Sequence, residues 1–137
     1  MSAAPKLATR RALVTFLKAD APLIAVLPAA RIFGEKAASN VQWPYLRLDE
    51  FESGQDPIHI INCNVHLHSK ADFSDEINQL CELAEEALDG AVLTLEDGSR
   101  ANVDVNSSRI LRDGAERSWW HGIISIEVRV PKDCTLA

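Results

Sequence analysis

From Lys6 to Ala19, Leu7, Val14 and Leu17, with Arg10 or Arg11 in the same stripe, recur at helical spacing and leave charge on the opposite side. Pro5 suits the first turn of such a helix, because a proline there forfeits no intrahelical hydrogen bond. Asp20 and Pro22 punctuate the chain, and Leu23, Ile24, Val26 and Leu27 before Pro28 predict a short helical turn. Arg31 to Gly34 reads as a brief strand, and Glu35 to Gln42, polar and small, as a loop. After Pro44 the period changes to two: Leu46 and Leu48 alternate with Arg47 and Asp49 in a run from Tyr45 to Phe51, a strand with one buried face.

Glu52 to Pro57 forms a linker into a longer strand. There His59, Ile61, Cys63, Val65 and Leu67 share one face while Asn62, Asn64, His66 and His68 share the other. This strand is expected to pair with its predecessor as a long hairpin. A second helix follows Asp72 as its cap, with Ile77, Leu80, Cys81, Ala84, Ala87 and Leu88 on one stripe and Gly90 as its stop. Val92 to Leu95, the turn Glu96-Asp97-Gly98-Ser99 and a strand from Arg100 through Val105, extending to Leu111, predict a second hairpin. The last strand runs from about Trp119 to Val130, with Trp120, Ile124, Ile126 and Val128 inward and Ile123, Ser125, Glu127 and Arg129 outward. The order of elements predicts an α+β fold: an antiparallel or mixed sheet of about five strands with two main helices packed on one face.

Composition adds bounds. A chain of 137 residues with 47% hydrophobic and 25% charged residues has the make-up of one folded domain, residues 1–137. The net charge of −6 disfavours sequence-independent nucleic-acid binding, since the surface as a whole repels phosphate. Lys6, Arg10, Arg11 and Lys18 spread over the first helix as a solvated face. The odd set Cys63, Cys81 and Cys134, without repeating spacing, argues for reduced thiols over a disulfide framework. Thr9-Arg10-Arg11 before an apolar run resembles a twin-arginine signal, but Lys18 and Asp20 interrupt that run early. No stretch approaches the roughly 20 apolar residues of a membrane span, and a soluble protein made in the bacterial cytoplasm is expected.

Candidate chemistry is sparse. His59, Cys63, His66 and His68 are the one dense group of metal-ligand types, but Cys63 points away from the His66 and His68 face and no further paired ligands complete a site. Histidines on the wetter face of a strand, or at a subunit contact, are the expectation, with no metal and no cofactor. There is no Gly-x-Ser-x-Gly elbow and no glycine-rich phosphate loop. Glu82, Glu85, Glu86 and Asp89 fall on the outer side of the second helix, and Asp49, Glu50 and Glu52 border a loop without a nearby histidine. Cys63 and Cys81 take inward positions, where a thiol behaves as a small hydrophobe.

Trp119 and Trp120 are adjacent on a strand and so face opposite sides; with Trp120 in the core, Trp119 lies outside it beside His121, and either marks a protein contact or is partly covered by a neighbouring loop. The charged connection Arg112-Asp113-Gly114-Ala115-Glu116-Arg117-Ser118 ends against it and offers no core residue. Arg112, Arg117, Trp119 and His121 are therefore the candidate interaction residues, on a docking loop set on a rigid sheet, with an ordinary mobile hairpin loop as the alternative.

Taken as an ordered set, several segments resemble the tail-completion or tail-terminator family of siphovirus-like phages, prophages and gene transfer agents. They are Asp20-Ala21-Pro22-Leu23, Arg31-Ile32-Phe33, Trp43-Pro44-Tyr45-Leu46, His66-Leu67-His68-Ser69, Ala87-Leu88-Asp89-Gly90, and Arg109-Ile110-Leu111-Arg112-Asp113-Gly114 leading to His121-Gly122. The resemblance covers nearly the whole chain, and the paired tryptophans before His121-Gly122 depart from it. It implies a structural, non-enzymatic virion subunit that forms a homo-oligomeric ring, typically a hexamer. That ring would cap the tail tube and meet the tail tube protein and the head-tail connector, with no membrane and with DNA passing through. A head-closure or neck subunit of the same particle is the alternative, and a small enzyme or ligand-binding domain a more distant one.

Overall fold

Two thirteen-residue strands form the spine of the molecule. β4 (Ile58–Lys70) and β7 (Trp119–Pro131) run antiparallel in unbroken register, from Ile58 opposite Pro131 to Lys70 opposite Trp119. A computed structural model describes residues 5–35, 37, 40–48, 52–53, 58–96, 98–112 and 119–131. Around the spine lie β1 (Ile32–Phe33), β2 (Tyr45–Leu48), β3 (Glu52–Ser53), β5 (Val92–Thr94) and β6 (Arg100–Arg112), in the sheet order β1-β2-β4-β7-β6-β5 with β3 also on β4. Only β1 and β2 are parallel. The class is α+β as expected, with seven strands because β1, β3 and β5 are two- or three-residue additions at its margins.

The hairpin expected between β4 and its predecessor is only partial. β2 pairs with β4 over four residues and β3 over two, while the full length of β4 is taken by β7. β2 and β3 share one edge of β4, and β7, the partner of equal length, satisfies the whole of the other edge. The second hairpin forms where the Asp-Gly turn predicts it, between β5 and β6, and Gly98 has the positive φ of 87° that such a turn requires. β6 continues to Arg112 and pairs with β7, with a bulge between Val105 and Ser107.

All three helices pack against one face of the sheet. α1 (Pro5–Ala19) turns sharply into α2 (Ala21–Ile24), whose start is capped by Asp20 accepting from the Leu23 amide at 3.1 Å. α3 (Asp75–Leu88) buries Ile77, Leu80, Cys81, Ala84 and Leu88. The residue at its cap is Ser74, not Asp72, and Asn78 bonds back to the Ser74 carbonyl at 2.8 Å. The core lies between these helices and the inward residues Leu46, Leu48, Ile61, Cys63, Val65, Leu67, Ile124, Ile126, Val128 and Val130, all nearly inaccessible. No described helix is long and apolar enough to cross a membrane.

Trp120 packs at the end of this core and donates its indole N–H to the Ala71 carbonyl at 3.0 Å, which gives the one polar atom of the ring a partner. Gly122, two residues on, sits directly beneath α3. A Cβ there would collide with Cys81 Sγ and press on Ile77. Gly122→Ala should therefore push α3 off the sheet and lower stability by roughly 1–3 kcal/mol, read as a fall in the urea midpoint at unchanged m-value. A midpoint equal to wild type would mean that α3 does not seat on this glycine.

Candidate functional site

The strand period of two that sends Ile61 through Leu67 toward the helices sends Asn62, Asn64, His66, His68 and Lys70 to the other face, over which no described element packs. Register assembles that face into cross-strand rows. Arg47, His66, Ile123 and Arg109 form one row from β2 to β6; Tyr45, His68, His121 and Leu111 form the next; Lys70 and Trp119 begin a third.

Within these rows the aromatic rings make a continuous stack. Tyr45 lies flat on His68 with centroids 4.6 Å apart, and His68 lies flat on His121 at 4.3 Å. Trp43, just before β2, meets Tyr45 edge-on at 5.2 Å and lies tilted against Trp119 at 5.5 Å. The Lys70 ammonium sits 4.4 Å from the Trp43 ring centre and 4.8 Å from that of Trp119, a cation held between two π faces. His66 Nδ1 and His121 Nε2 are 2.7 Å apart, so one imidazole donates and the other accepts.

Strand alternation predicts His66 and His68 on the wetter side of β4, yet they are only 7% and 5% exposed. The sheet face is open, but Trp43, Tyr45 and His121 roof these two rings, and a flat aromatic neighbour excludes water as well as a helix does. Arg47 Nε donates to His68 Nε2 at 3.3 Å, which places the His68 proton on Nδ1. The His68 pKa falls to about 3, first because burial penalises the charged ring, then because His121, Arg47 and His66 add like charge.

Of the residues predicted to carry an interaction, Trp119 and His121 both lie on this open face, Trp119 half-buried against Trp43. Arg112 lies on the helix side, its guanidinium 4.7 Å from the Trp120 ring centre. Arg117 and the rest of the connection, Asp113 to Ser118, lie outside the described residues, as do Cys134, Asp49 and Glu50. Sequence reasoning missed Trp43, Tyr45, Arg47 and Lys70 as members of the site. Strand parity opposite Leu46 and Leu48 could have found Tyr45 and Arg47; the Trp43 and Lys70 contact needed the register.

Other chemistry stays apart from this face. Cys63 and Cys81 are buried thiols outside any disulfide, and burial, then Glu85, pushes the Cys81 thiol up to about 12. No three described His, Cys, Asp or Glu residues are placed to hold a metal ion. A shallow groove of about 480 Å3 between α1 and β5, lined by Ala8, Ala12, Phe16 and Leu93, is apolar and crossed by the Arg11–Glu96 ion pair at 2.8 Å.

Comparison with known proteins gives this arrangement a family. The family model of tail completion protein gp17 matches residues 11–131. The chain belongs to the tail completion protein gp17 family. Members of this family are structural components of phage tails, and this chain takes that role in a phage or phage-like particle. A search of curated proteins finds no match. Among solved structures, a chain from the "virion of native gene transfer agent (GTA) particle" superposes with a TM-score of 0.80 at 18% identity, covering 95% of this chain and 99% of that one. A second structure superposes with a TM-score of 0.54 at 15% identity, covering 90% of this chain and 91% of that one. At such identities the likeness establishes a shared fold. The family match spans α1 to β7, so the open face and the helix layer both belong to the tail-completion domain.

The buried imidazole gives this tail completion protein a distinct acid response. In the unfolded chain His68 titrates near 6.5, and in the folded one at about 3. Between those values the unfolded state holds a proton that the native state lacks. The contribution is therefore undiminished above pH 6.5 and is lost as pH falls toward 3, at up to about 1.4 kcal/mol per pH unit. Urea midpoints measured between pH 7 and pH 5, above most carboxylate titration, should fall in the wild type and fall distinctly less in His68→Gln. Equal pH slopes in the two proteins would contradict a neutral, buried His68.

Proposed function

We propose that this protein is the tail terminator of its particle: it forms a closed homo-oligomeric ring, of six subunits by the family resemblance, that caps the tail tube and joins it to the head connector. The observation that carries this reading is the match of the tail completion family over residues 11–131, seconded by a near full-length likeness to a chain of an assembled gene transfer agent virion. The physics of the role is simple. A tube grows by repeated head-to-tail contacts, and a ring that matches the tube on one side but presents a different surface on the other ends the repeat. A subunit suited to this needs unlike surfaces on opposite sides, and this fold has them: a helix layer on one side of the sheet, a stacked aromatic and cationic face on the other. The partners are then the protein itself, the tail tube protein and the connector, in the virion tail. DNA passes through the opening without being read.

Tube growth provides the test. Added to tail tube protein as it polymerises, the purified protein should shorten the tubes in proportion to its amount and appear as one ring at a single tube end by electron microscopy. A head-closure subunit would bind the connector and leave tube length unchanged. That outcome, or tubes of full length with the protein monomeric beside them, would overturn the terminator reading.

A further inference from the structure

We infer that the ring is held by an electrostatic head-to-tail contact in which the open sheet face of one subunit, around Arg47, Lys70 and Arg109, docks on the outer stripe of α3 of the next copy. The inference rests on the ring reading above and assigns its interface.

The donor side is the set of rows on the open face. Arg47 and Arg109 end one row and Lys70 lies in the row two further along β4, so three cations surround Trp119, His121 and the half-exposed Leu111. Among the described residues no carboxylate pairs with any of the three. Four strands at about 4.8 Å spacing set Arg47 and Arg109 roughly 14 Å apart.

The complementary surface is on the same molecule, on the far side of its sheet. From Asp72 to Asp89 the chain has seven carboxylates and no lysine or arginine. Asp75, Glu82, Glu86 and Asp89 are all exposed, and their spacing of seven, four and three residues lines them along one stripe of α3 and its cap, about 20 Å long. Within the subunit Asp75 suits the positive end of the α3 dipole and Asp89 accepts from the Val105 amide at 3.1 Å, but among the described residues no cation pairs with Glu82 or Glu86. α3 has no basic residue in its last turn, so Glu85 and Glu86 face the negative end of the helix dipole unfavourably. A partner's cations would neutralise both.

Two observations choose this pairing over others. α1 also carries cations, but Arg10 and Arg11 are committed within the chain to Glu35 at 3.0 Å and Glu96 at 2.8 Å. The cationic and acidic patches also lie on opposite faces of one sheet. Subunits joined through them repeat head to tail, which generates a ring or filament and not a two-fold dimer.

Charge reversal tests the contact on the full-length chain by sedimentation velocity at several salt concentrations. All four target residues are exposed, so circular dichroism should stay near wild type, as should melting of the Glu82 and Glu86 variant, while Lys70→Glu gives up its contact with Trp43 and Trp119 and lowers melting modestly. Glu82→Lys with Glu86→Lys, and separately Lys70→Glu with Arg109→Glu, should each weaken self-association by at least about tenfold. The quadruple variant, which restores opposite charge across the contact, should assemble again, as should an equimolar mixture of the two double variants. Lys6→Glu with Lys18→Glu should assemble as wild type does. Double variants that still form wild-type rings would overturn this interface and leave the ring reading standing, as would loss of rings in the α1 variant with both double variants intact. Wild type and quadruple variant that both stay monomeric, alone and on tube ends, would overturn interface and ring together.

Discussion

The pairing of β4 with β7 is the constraint on which the rest depends. Thirteen consecutive residue pairs fix a register, and a fixed register decides at one stroke which side chains face the helices and which face away. A slip of β4 by one residue against β7 would send Val65 and Leu67 to the open face and His66 to the core, so the hydrophobic pattern and the pairing protect each other. Gly122 belongs to the same constraint, because it lets α3 come down onto β7 where Cys81 and Ile77 need the space. With α3 seated, the acidic stripe and the aromatic rows become opposite sides of one rigid body.

That rigidity suits a small fold to a structural role in assembly. Within the histidine stack, His68 is held neutral by burial and by an arginine donating to its acceptor nitrogen, while His66 and His121 share a hydrogen bond. Such a network orders the surface around it, since every ring is fixed by a neighbour on the next strand. Trp43 and Trp119 close over the Lys70 ammonium in the same way. The result is a pre-shaped face, and a pre-shaped face loses little conformational freedom when a partner covers it.

Much of this is legible in the sequence, through period. The stripe Ile77, Leu80, Cys81, Ala84 and Leu88 marks α3, and alternation along β7 assigns Ile124, Ile126 and Val128 to the side on which they lie buried. What period cannot give is which strands meet. Neighbours in sequence are the usual partners, which points β4 to its predecessor; its main partner lies across α3, β5 and β6, and His66 meets His121 over 55 residues. The burial of His66 and His68 is illegible for the same reason, since parity places a side chain on a face but does not say that Tyr45 and Trp43 will cover it. Trp119 and Trp120 divide cleanly between the two sides. One ring caps the core through Ala71 and the other builds the open face with Trp43.

The central claim is that the open face is covered in the working assembly, and a high-resolution cryo-electron microscopy reconstruction of the ring on its tube tests it most directly. The account predicts density for a neighbouring copy over Tyr45, His121 and Trp119, with Lys70 and Arg109 within ion-pair distance of that copy's Glu82 and Glu86. A ring in which this face lies bare to solvent, with the subunits joined through other surfaces, would contradict it.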